Sequence, residues 1–209
     1  ILFWLTLGFF PNPLAESGQW DWSVRVEDRQ GRLLKTFLSP KEGRREARPL
    51  SEFSPNLVAA VLAAEDKRFY HHPGLDPLAM LRAAWLNLKN GRIISGGSTI
   101  TMQLARLNRG LSPGPRTLNR KFKEIWWAIL IERHNTKEEI LTEYLNRAPC
   151  GNLTEGFPAA ARLYLEKSAA DLSVADGAFL AAFAASPGPL NPYQEPPPAR
   201  AARAQTIHR

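Results

Sequence analysis

The residues best suited to chemistry in this sequence are two adjacent carboxylates, Glu65 and Asp66. Apolar residues precede them at three- and four-residue spacing from Ser54-Pro55 onward, which predicts a helix with Glu65 on its apolar side. A carboxylate is costly to ionise beside apolar groups, so its proton affinity should rise, as suits a general base. Asp66 would point about 100° away around the helix and is expected to support Glu65. Spacing alone favours a different interpretation, a surface ion pair between Glu65 and Arg68.

A glycine-rich turn, Gly96-Gly97-Ser98-Thr99, comes before a second helical pattern that contains Gln103 and Arg106. Unpaired backbone N–H groups at the start of a helix, together with a hydroxyl group, can hold phosphate oxygens. Ordinary capping of a helix after a flexible turn explains the same residues equally well. The turn is therefore a candidate anion site that needs support from other motifs.

A further predicted helix carries a cationic face. Arg116, Arg120 and Lys123 fall within about 60° of one another around its axis, with Glu124 at the edge of the group. Like charges four residues apart destabilise a helix by about 0.2–0.5 kcal/mol per pair, so the cluster suggests an anion that neutralises it. Lys121 lies off this face and is the weaker candidate. The alternative is a solvated face on which Glu124 pairs with Arg120.

The elements that position these residues are predicted to be mainly α-helical, because helical spacing dominates after residue 50. Helices are predicted from Ser54-Pro55, over 76–90, from 98 through 107, over 116–133, from Thr136, around 159–165 and from Ser173 to 186. The second of them is expected to turn Leu78, Leu81, Trp85 and Leu88 inward, and the fourth to place Leu118, Phe122, Ile125 and Ile129 opposite the cations. Residues 22–38 alternate in polarity on both sides of a central turn, which predicts a β-hairpin.

The formal net charge of +7 indicates an anionic partner, which could be nucleic acid, lipid headgroups or a phosphorylated substrate. Nucleic acid is disfavoured because the basic residues are interleaved with acidic ones and no binding motif is recognised. The single cysteine, Cys150, excludes an intrachain disulfide framework. The four histidines lack the spacing of zinc ligands, so no metal bound by the protein itself is predicted.

Residues 1–10 carry no charge and end against Pro11. This is half of the roughly 20 apolar residues that span a bilayer. We interpret the segment as the outer half of a transmembrane anchor, with a buried terminal strand as the alternative.

Three strings resemble the signature of the family 51 glycosyltransferases, the peptidoglycan polymerases. They are EDKRFYHHPG at 65–74, GGSTITMQLAR at 96–106 and RTLNRKFKE at 116–124, and the resemblance continues in KEEILTEYLN at 137–146 and AAARLYLEK at 159–167. Departures are Met102 and Leu107, where many members have Gln and Asn, and Leu165-Glu166 in place of Phe-Gly. The first two departures, together with HHPG, resemble the 1C branch of the class A penicillin-binding proteins.

The resemblance implies a lysozyme-like helical fold with a smaller membrane-facing lobe, and it implies roles for individual residues. Glu65 would be the base that deprotonates the 4-hydroxyl of the acceptor sugar, and basic residues would hold the donor pyrophosphate with help from Glu124. The implied catalytic residues are Glu65 and Glu124, the supporting residues are Asp66, Phe69 and His72, and the substrate-binding residues are Ser98, Gln103, Arg106, Arg116, Arg120 and Lys123. Glu143, Tyr144 and Asn146 are expected to be structural supports.

The predicted organisation is a partial membrane anchor at 1–10, a hairpin with a basic linker at 11–49, and the glycosyltransferase domain at 50–193. A proline-rich linker and the start of a following segment fill 194–209. The resemblance implies that lipid II and the nascent glycan strand are partners, on the periplasmic side of the bacterial inner membrane. It also implies inhibition by moenomycin and a divalent cation, Mg²⁺ or Mn²⁺, bound through the substrate pyrophosphate.

Two other functions fit parts of the sequence. A lysozyme-like lytic glycosidase also places a prominent Glu in a helical domain, but it has no need of a cationic face for pyrophosphate. A catalytically inactive, membrane-tethered scaffold is opposed by the intact Glu65 and Glu124.

Overall fold

The computed structural model describes residues 9–15, 21–30, 32–39, 43–92, 96–108, 117–186, 191 and 193. Arg116, most of the predicted anchor and the predicted segment at 194–209 lie outside the described residues. The chain forms two compact units, one of Ile1–Gly18 with Glu65–Tyr144 and the other of Gln19–Ala64 with Leu145–Arg209.

The described residues are mainly helical, as predicted. The α-helices are α1 Pro55–Glu65, α2 Pro77–Asn90, α3 Ile100–Asn108, α4 Leu118–His134, α5 Lys137–Arg147, α6 Phe157–Leu165 and α7 Val174–Ala185. Short 3₁₀ turns occupy Leu50–Glu52 and Phe69–His71, and the strands are β1 Val24–Glu27, β2 Leu33–Phe37, β3 Arg44–Arg45 and β4 Thr154–Glu155. Within these residues no helix is both long and apolar enough to cross a bilayer.

The first unit is built around the packing of α3 on α4. Five of the nine residues of α3 are buried, namely Ile100, Thr101, Met102, Leu104 and Ala105. The buried apolar residues of α4 are Ala128, Leu130 and Ile131. A carboxylate at this interface, Glu132, accepts from Thr101 Oγ1 at 2.6 Å and from Lys137 Nζ at 2.7 Å. Because burying a carboxylate is costly without donors, these two contacts fix α3 and the start of α5 against α4.

Two glycines of the first unit permit close approaches that position the motif loops. Gly74 has φ +86°, and a Cβ there would lie 2.9 Å from Glu132 Cγ. A Cβ on Gly97 would lie 2.8 Å from the Cα atom of Met80 in α2. A larger residue at Gly74 would push the HHPG segment away from α4, and one at Gly97 would push the GGST segment away from α2.

The second unit contains the predicted hairpin. Strands β1 and β2 pair antiparallel, with Val24 opposite Phe37, and Asp28 accepts from the backbone N–H groups of Gln30 and Arg32 at the turn. Elsewhere β3 and β4 pair in parallel. Glu46 is the centre of an ion-pair cluster with Arg25, Arg48 and Arg162. Burial raises the pKa of Glu46, but the hydrogen bond from Arg48 and the charges of the other arginines outweigh it and lower the pKa below its usual value.

The helix ends follow the sequence signals. Asp76 accepts from Ala79 N at the start of α2, and Gly91 ends that helix in the left-handed conformation. Thr136 with Glu139 and Ser173 with Asp176 form the two predicted capping boxes. These caps confirm the boundaries that the sequence predicted for α2, α5 and α7.

The predicted inward face of α2 is wrong. The four apolar side chains expected to point inward are exposed: Leu78 by 61%, Leu81 by 70%, Trp85 by 58% and Leu88 by 83%. Ala83 is the buried residue of this helix. Phe122 of α4 is also exposed, by 68%, although it was predicted on the apolar side of that helix. Spacing identified the stripe on α2 correctly, but a stripe does not reveal which surface covers it.

We expect Gly74→Ala to lower the free energy of unfolding by about 2 to 5 kcal/mol, because it adds backbone strain and a clash with Glu132 and Ala128. Gly91→Ala is the matched control, since Gly91 has φ +61° with open space around it. Strain alone should cost that variant about 1 to 2 kcal/mol. Urea unfolding followed by circular dichroism measures both losses. Equal losses would contradict the clash.

Candidate functional site

Glu65 is the last residue of α1 and is half-buried. Its carboxylate oxygen Oε2 accepts a hydrogen bond of 2.7 Å from Gln103 Nε2 on α3. The alternative partner, Arg68, instead lies 3.6 Å from Asp76. A hydrogen bond from the backbone N–H of Ala79, with help from the charge of Arg68, lowers the pKa of Asp76. The structure therefore joins Glu65 to α3 rather than to its neighbour in sequence.

The buried pair Asp66 and His72 lies directly beside Glu65 in the chain. Both oxygens of Asp66 are 3.0 Å from His72 Nε2, and Oδ2 also accepts from the backbone N–H of Ile100 at 3.1 Å. Phe69 is buried with its ring edge-on to that of His72, and Lys137 Nζ lies 4.4 Å from the centre of the Phe69 ring. The three residues predicted to support the site thus connect the end of α1 to the start of α3.

The start of α3 is capped by the protein itself. Thr99 Oγ1 accepts from Met102 N at 3.2 Å and donates to the carbonyl of Gly74 at 2.6 Å. Together with the contact from Asp66 to Ile100, this occupies two of the N–H groups at the helix start. Thr99 therefore caps the helix, which was the alternative interpretation of the glycine-rich turn. Ser98, which precedes it, turns its hydroxyl to α4.

The cationic helix meets this turn through Lys121. Its Nζ donates to Ser98 Oγ at 2.9 Å and lies 3.3 Å from Glu124 Oε2. Arg120 Nε lies 3.9 Å from Glu124 Oε1, so the predicted pair of Arg120 with Glu124 is present. Lys123 is exposed and makes no ion pair or hydrogen bond in the described part of the chain.

The position of Lys121 off the predicted cationic face therefore does not keep its amine from Ser98 and Glu124. The angular argument followed the direction in which each side chain leaves the helix. A lysine side chain is long and flexible, so its amine reached a carboxylate three residues ahead and a hydroxyl on a neighbouring segment.

The polar groups that could take part in a reaction lie around α3. Near its start lie Ser98 and Lys121, and one turn further along, Gln103 contacts Glu65. Glu124 is buried, with 5% of its surface exposed, and lies near Arg120 and Lys121. The arrangement offers a proton acceptor, Glu65, and separately a hydroxyl and amines suited to an anion.

Other predicted residues are less involved. Arg106, three residues beyond Gln103 on α3, is half-buried and contacts no acid within the described residues. Cys150 is buried, and burial raises its pKa to about 12, so its thiol is not available as a nucleophile. In the described ranges, His, Cys, Asp and Glu do not gather in any group of three that could hold a metal ion.

Sequence reasoning missed the chemical contact made by Tyr144. This residue of α5 is buried, and its hydroxyl donates to Gln103 Oε1 at 3.3 Å. A tyrosine on the apolar side of a predicted helix was the available signal, because a buried phenol needs a polar partner. The sequence could not name that partner.

Known proteins are similar to this chain. The model of the transglycosylase family matches residues 30–209. The chain is similar to penicillin-binding protein 1C of Escherichia coli K12, with 45% identity over 160 residues that cover 77% of this chain and 20% of the relative. It is also similar to penicillin-binding protein 1A of Aquifex aeolicus, with 41% identity over 187 residues, 89% of this chain and 25% of the relative.

The chain thus spans a fifth to a quarter of the length of these relatives. The family match, by contrast, extends over most of the chain and includes all the motifs named above. The chain therefore belongs to the transglycosylase family, the peptidoglycan glycosyltransferases that its motifs predicted.

Proposed function

We propose that this chain polymerises lipid II into β-1,4-linked glycan strands, with inversion at the anomeric carbon and release of undecaprenyl pyrophosphate. The observation that carries the proposal is the arrangement around α3. A half-buried carboxylate, Glu65, is held by Gln103, and a hydroxyl–amine pair, Ser98 and Lys121, lies before the same helix. A proton acceptor and an anion site are what glycosyl transfer from a pyrophosphate donor requires.

Glu65 takes the proton from the 4-hydroxyl of the acceptor sugar of lipid II. The oxygen attacks the anomeric carbon of the growing strand from the side opposite its pyrophosphate. The new C–O bond forms as the bond to the pyrophosphate breaks, and the electron pair leaves with undecaprenyl pyrophosphate. Inversion follows because there is one displacement at that carbon.

Charge on the leaving pyrophosphate is neutralised by the cations of α4, chiefly Lys121 with Arg120, while Glu124 orients both side chains. Ser98 adds a hydroxyl donor on the same side. Arg106, Arg116 and Lys123 stay candidates for the rest of the pyrophosphate and the lipid II headgroup. A divalent cation, Mg²⁺ or Mn²⁺, would arrive with the substrate and add positive charge there.

We further propose that α2 lies in the lipid surface of the inner membrane. Its exposed apolar stripe is flanked by exposed basic residues of α2 and the turn after it, Arg82, Lys89 and Arg92. An amphipathic helix of this kind binds anionic lipid headgroups with its cations and acyl chains with its apolar face. The lipid-linked substrate would then meet the site at the periplasmic surface.

Glu65→Gln is expected to abolish polymerisation without loss of stability, because the amide keeps the shape of the side chain but cannot accept the proton. Labelled lipid II, with gel separation of the products, measures the activity, and moenomycin should inhibit the wild-type chain. Glu138→Gln, at an exposed position of α5, is the control and should retain full activity. Turnover above a few per cent in Glu65→Gln would remove Glu65 as the base. Release of fragments from finished glycan would instead support a lytic glycosidase.

Lys121→Ala should lower kcat/KM for lipid II by roughly ten- to a hundredfold, because a charge-assisted contact to pyrophosphate contributes about 1.5 to 3 kcal/mol. Lys123→Ala removes the same charge two residues away, where the side chain is exposed, and should have the smaller effect. Both variants should change stability by less than about 1 kcal/mol. Equal losses in the two variants would assign the pyrophosphate contact to both lysines, and a larger loss in Lys123→Ala would refute the assignment to Lys121.

Replacing Leu81 and Trp85 together by serine should weaken binding to phosphatidylglycerol vesicles roughly ten- to a hundredfold, as expected for two apolar side chains that no longer enter lipid. Vesicle co-sedimentation measures this, and thermal unfolding in solution should change little because both side chains are exposed. Val174→Ser, at a residue of α7 that is 70% exposed, is the control and should leave vesicle binding unchanged. Unchanged binding in the double variant would exclude α2 from the lipid surface.

A further inference from the structure

Two hydrogen bonds in series connect three helices and end on Glu65. Tyr144 Oη on α5 donates to Gln103 Oε1 on α3 at 3.3 Å, and Gln103 Nε2 donates to Glu65 Oε2 at the end of α1 at 2.7 Å. Tyr144 has 2% of its surface exposed, so its hydroxyl is sheltered from bulk water. The series ends on a carboxylate that is half-buried.

The polarity of this series is fixed by its carboxylate end. An ionised carboxylate can only accept, so the amide of Gln103 must present its nitrogen to Glu65. Its carbonyl oxygen then faces Tyr144, whose hydroxyl donates to it. If the amide turned over, two acceptor oxygens would face each other at Glu65 and the NH₂ group would face Tyr144. The Glu65 carboxylate therefore selects the amide orientation, and the Tyr144 hydroxyl restrains the amide by donating to the oxygen that this orientation presents.

We propose that Tyr144 is a positioning residue that acts through Gln103 to hold the Glu65 carboxylate in place for proton transfer, an inference that rests on the function proposed above. A glutamate at the end of a helix has several rotamers, and fixing one beforehand lowers the cost of reaching the reactive geometry. Gln103 engages Oε2, while Oε1 of Glu65 contacts no donor within the described residues. Oε1 is then the atom that accepts the proton of the acceptor hydroxyl.

Gln103 accordingly has a second role besides the substrate contact that its motif implies. Both polar groups of its amide are committed to protein partners, Glu65 and Tyr144. Loss of Tyr144 Oη should loosen the amide and reduce the fraction of molecules with Glu65 in the reactive rotamer. That change lowers kcat and leaves KM for lipid II unchanged, because substrate binding does not use the hydroxyl.

The test is a double-mutant cycle on kcat for lipid II polymerisation, with Tyr144→Phe, Gln103→Ala and the two combined. Tyr144→Phe should lower kcat roughly two- to tenfold with KM unchanged, as for loss of one neutral hydrogen bond. Gln103→Ala should lower kcat further. The combined variant should be no slower than Gln103→Ala alone, since Tyr144 can no longer act once the amide is gone.

Tyr164→Phe is the matched control. Tyr164 Oη also donates a hydrogen bond, of 2.7 Å, to the carbonyl of Cys150 in the second unit. Its removal should lower the melting temperature while kcat of the folded protein stays constant. Gln103→Glu is a second probe that keeps the side-chain shape and an oxygen for Tyr144 but puts an acceptor against Glu65, so kcat should fall without a change in fold.

The positioning role would be overturned if the loss of kcat in the combined variant equalled the product of the losses in the two single variants. An unchanged kcat in Tyr144→Phe would also overturn it. A fall in activity that only follows the melting temperature would do the same. If wild-type chain polymerises lipid II and Glu65→Gln does not, such results refute the positioning role alone. If wild-type chain forms no polymer, the proposed function fails and this inference with it.

Discussion

The structure of the site depends on the carboxylate of Asp66. Burial of a carboxylate costs free energy unless donors replace the water that it loses. Here the donors are the ring of His72 and the backbone N–H of Ile100, which belong to a loop and to the start of α3. Because Asp66 follows Glu65 directly, satisfying the one carboxylate fixes where the other stands relative to α3. Asp66 thus places the residue that is proposed to do the chemistry.

Other contacts in the first unit hold the start of α3 in place. Thr99 joins the helix start to the carbonyl of Gly74, and Thr101 joins its first turn to Glu132 of α4. Glu132 is in turn held by Lys137, whose amine also donates to the carbonyl of His72. These contacts share groups, so each one limits the movement of the others. A helix held at its start suits a site in which a displacement of about 1 Å can lower the rate about a hundredfold.

The exposed apolar stripe of α2 lies outside this core. Leaving a stripe of leucine and tryptophan exposed on α2 costs free energy in water, and a stripe of this kind marks an interaction surface. The amine of Lys89 lies over the ring of Trp85, at 5.2 Å from its centre, so charge and apolar surface are adjacent. A substrate with a polar headgroup and a long lipid would meet both kinds of surface at once.

The sequence by itself determined the helices, most of their ends and the family. Helical spacing and cap residues act through local contacts, so the roles of Asp76, Gly91 and Ser173 could be assigned from the residues around them. The motif strings identified Glu65, Asp66 and Glu124, and the antiparallel hairpin followed from its alternation. These features depend on residues that are close in sequence, which is why they could be predicted.

Only the tertiary structure decided what each face and each side chain meets. The stripe of α2 was visible in the sequence, but whether protein or solvent covers it depends on segments distant in the chain. Lys121 was ranked by its angle on the helix, whereas its contact with Ser98 depends on the reach of a flexible side chain across a tertiary gap. The series from Tyr144 through Gln103 to Glu65 joins residues 38 and 41 positions apart, and no local pattern encodes such a pairing. Contacts between distant segments follow from how the whole core packs, so periodicity could place these residues on helices but could not bring them together.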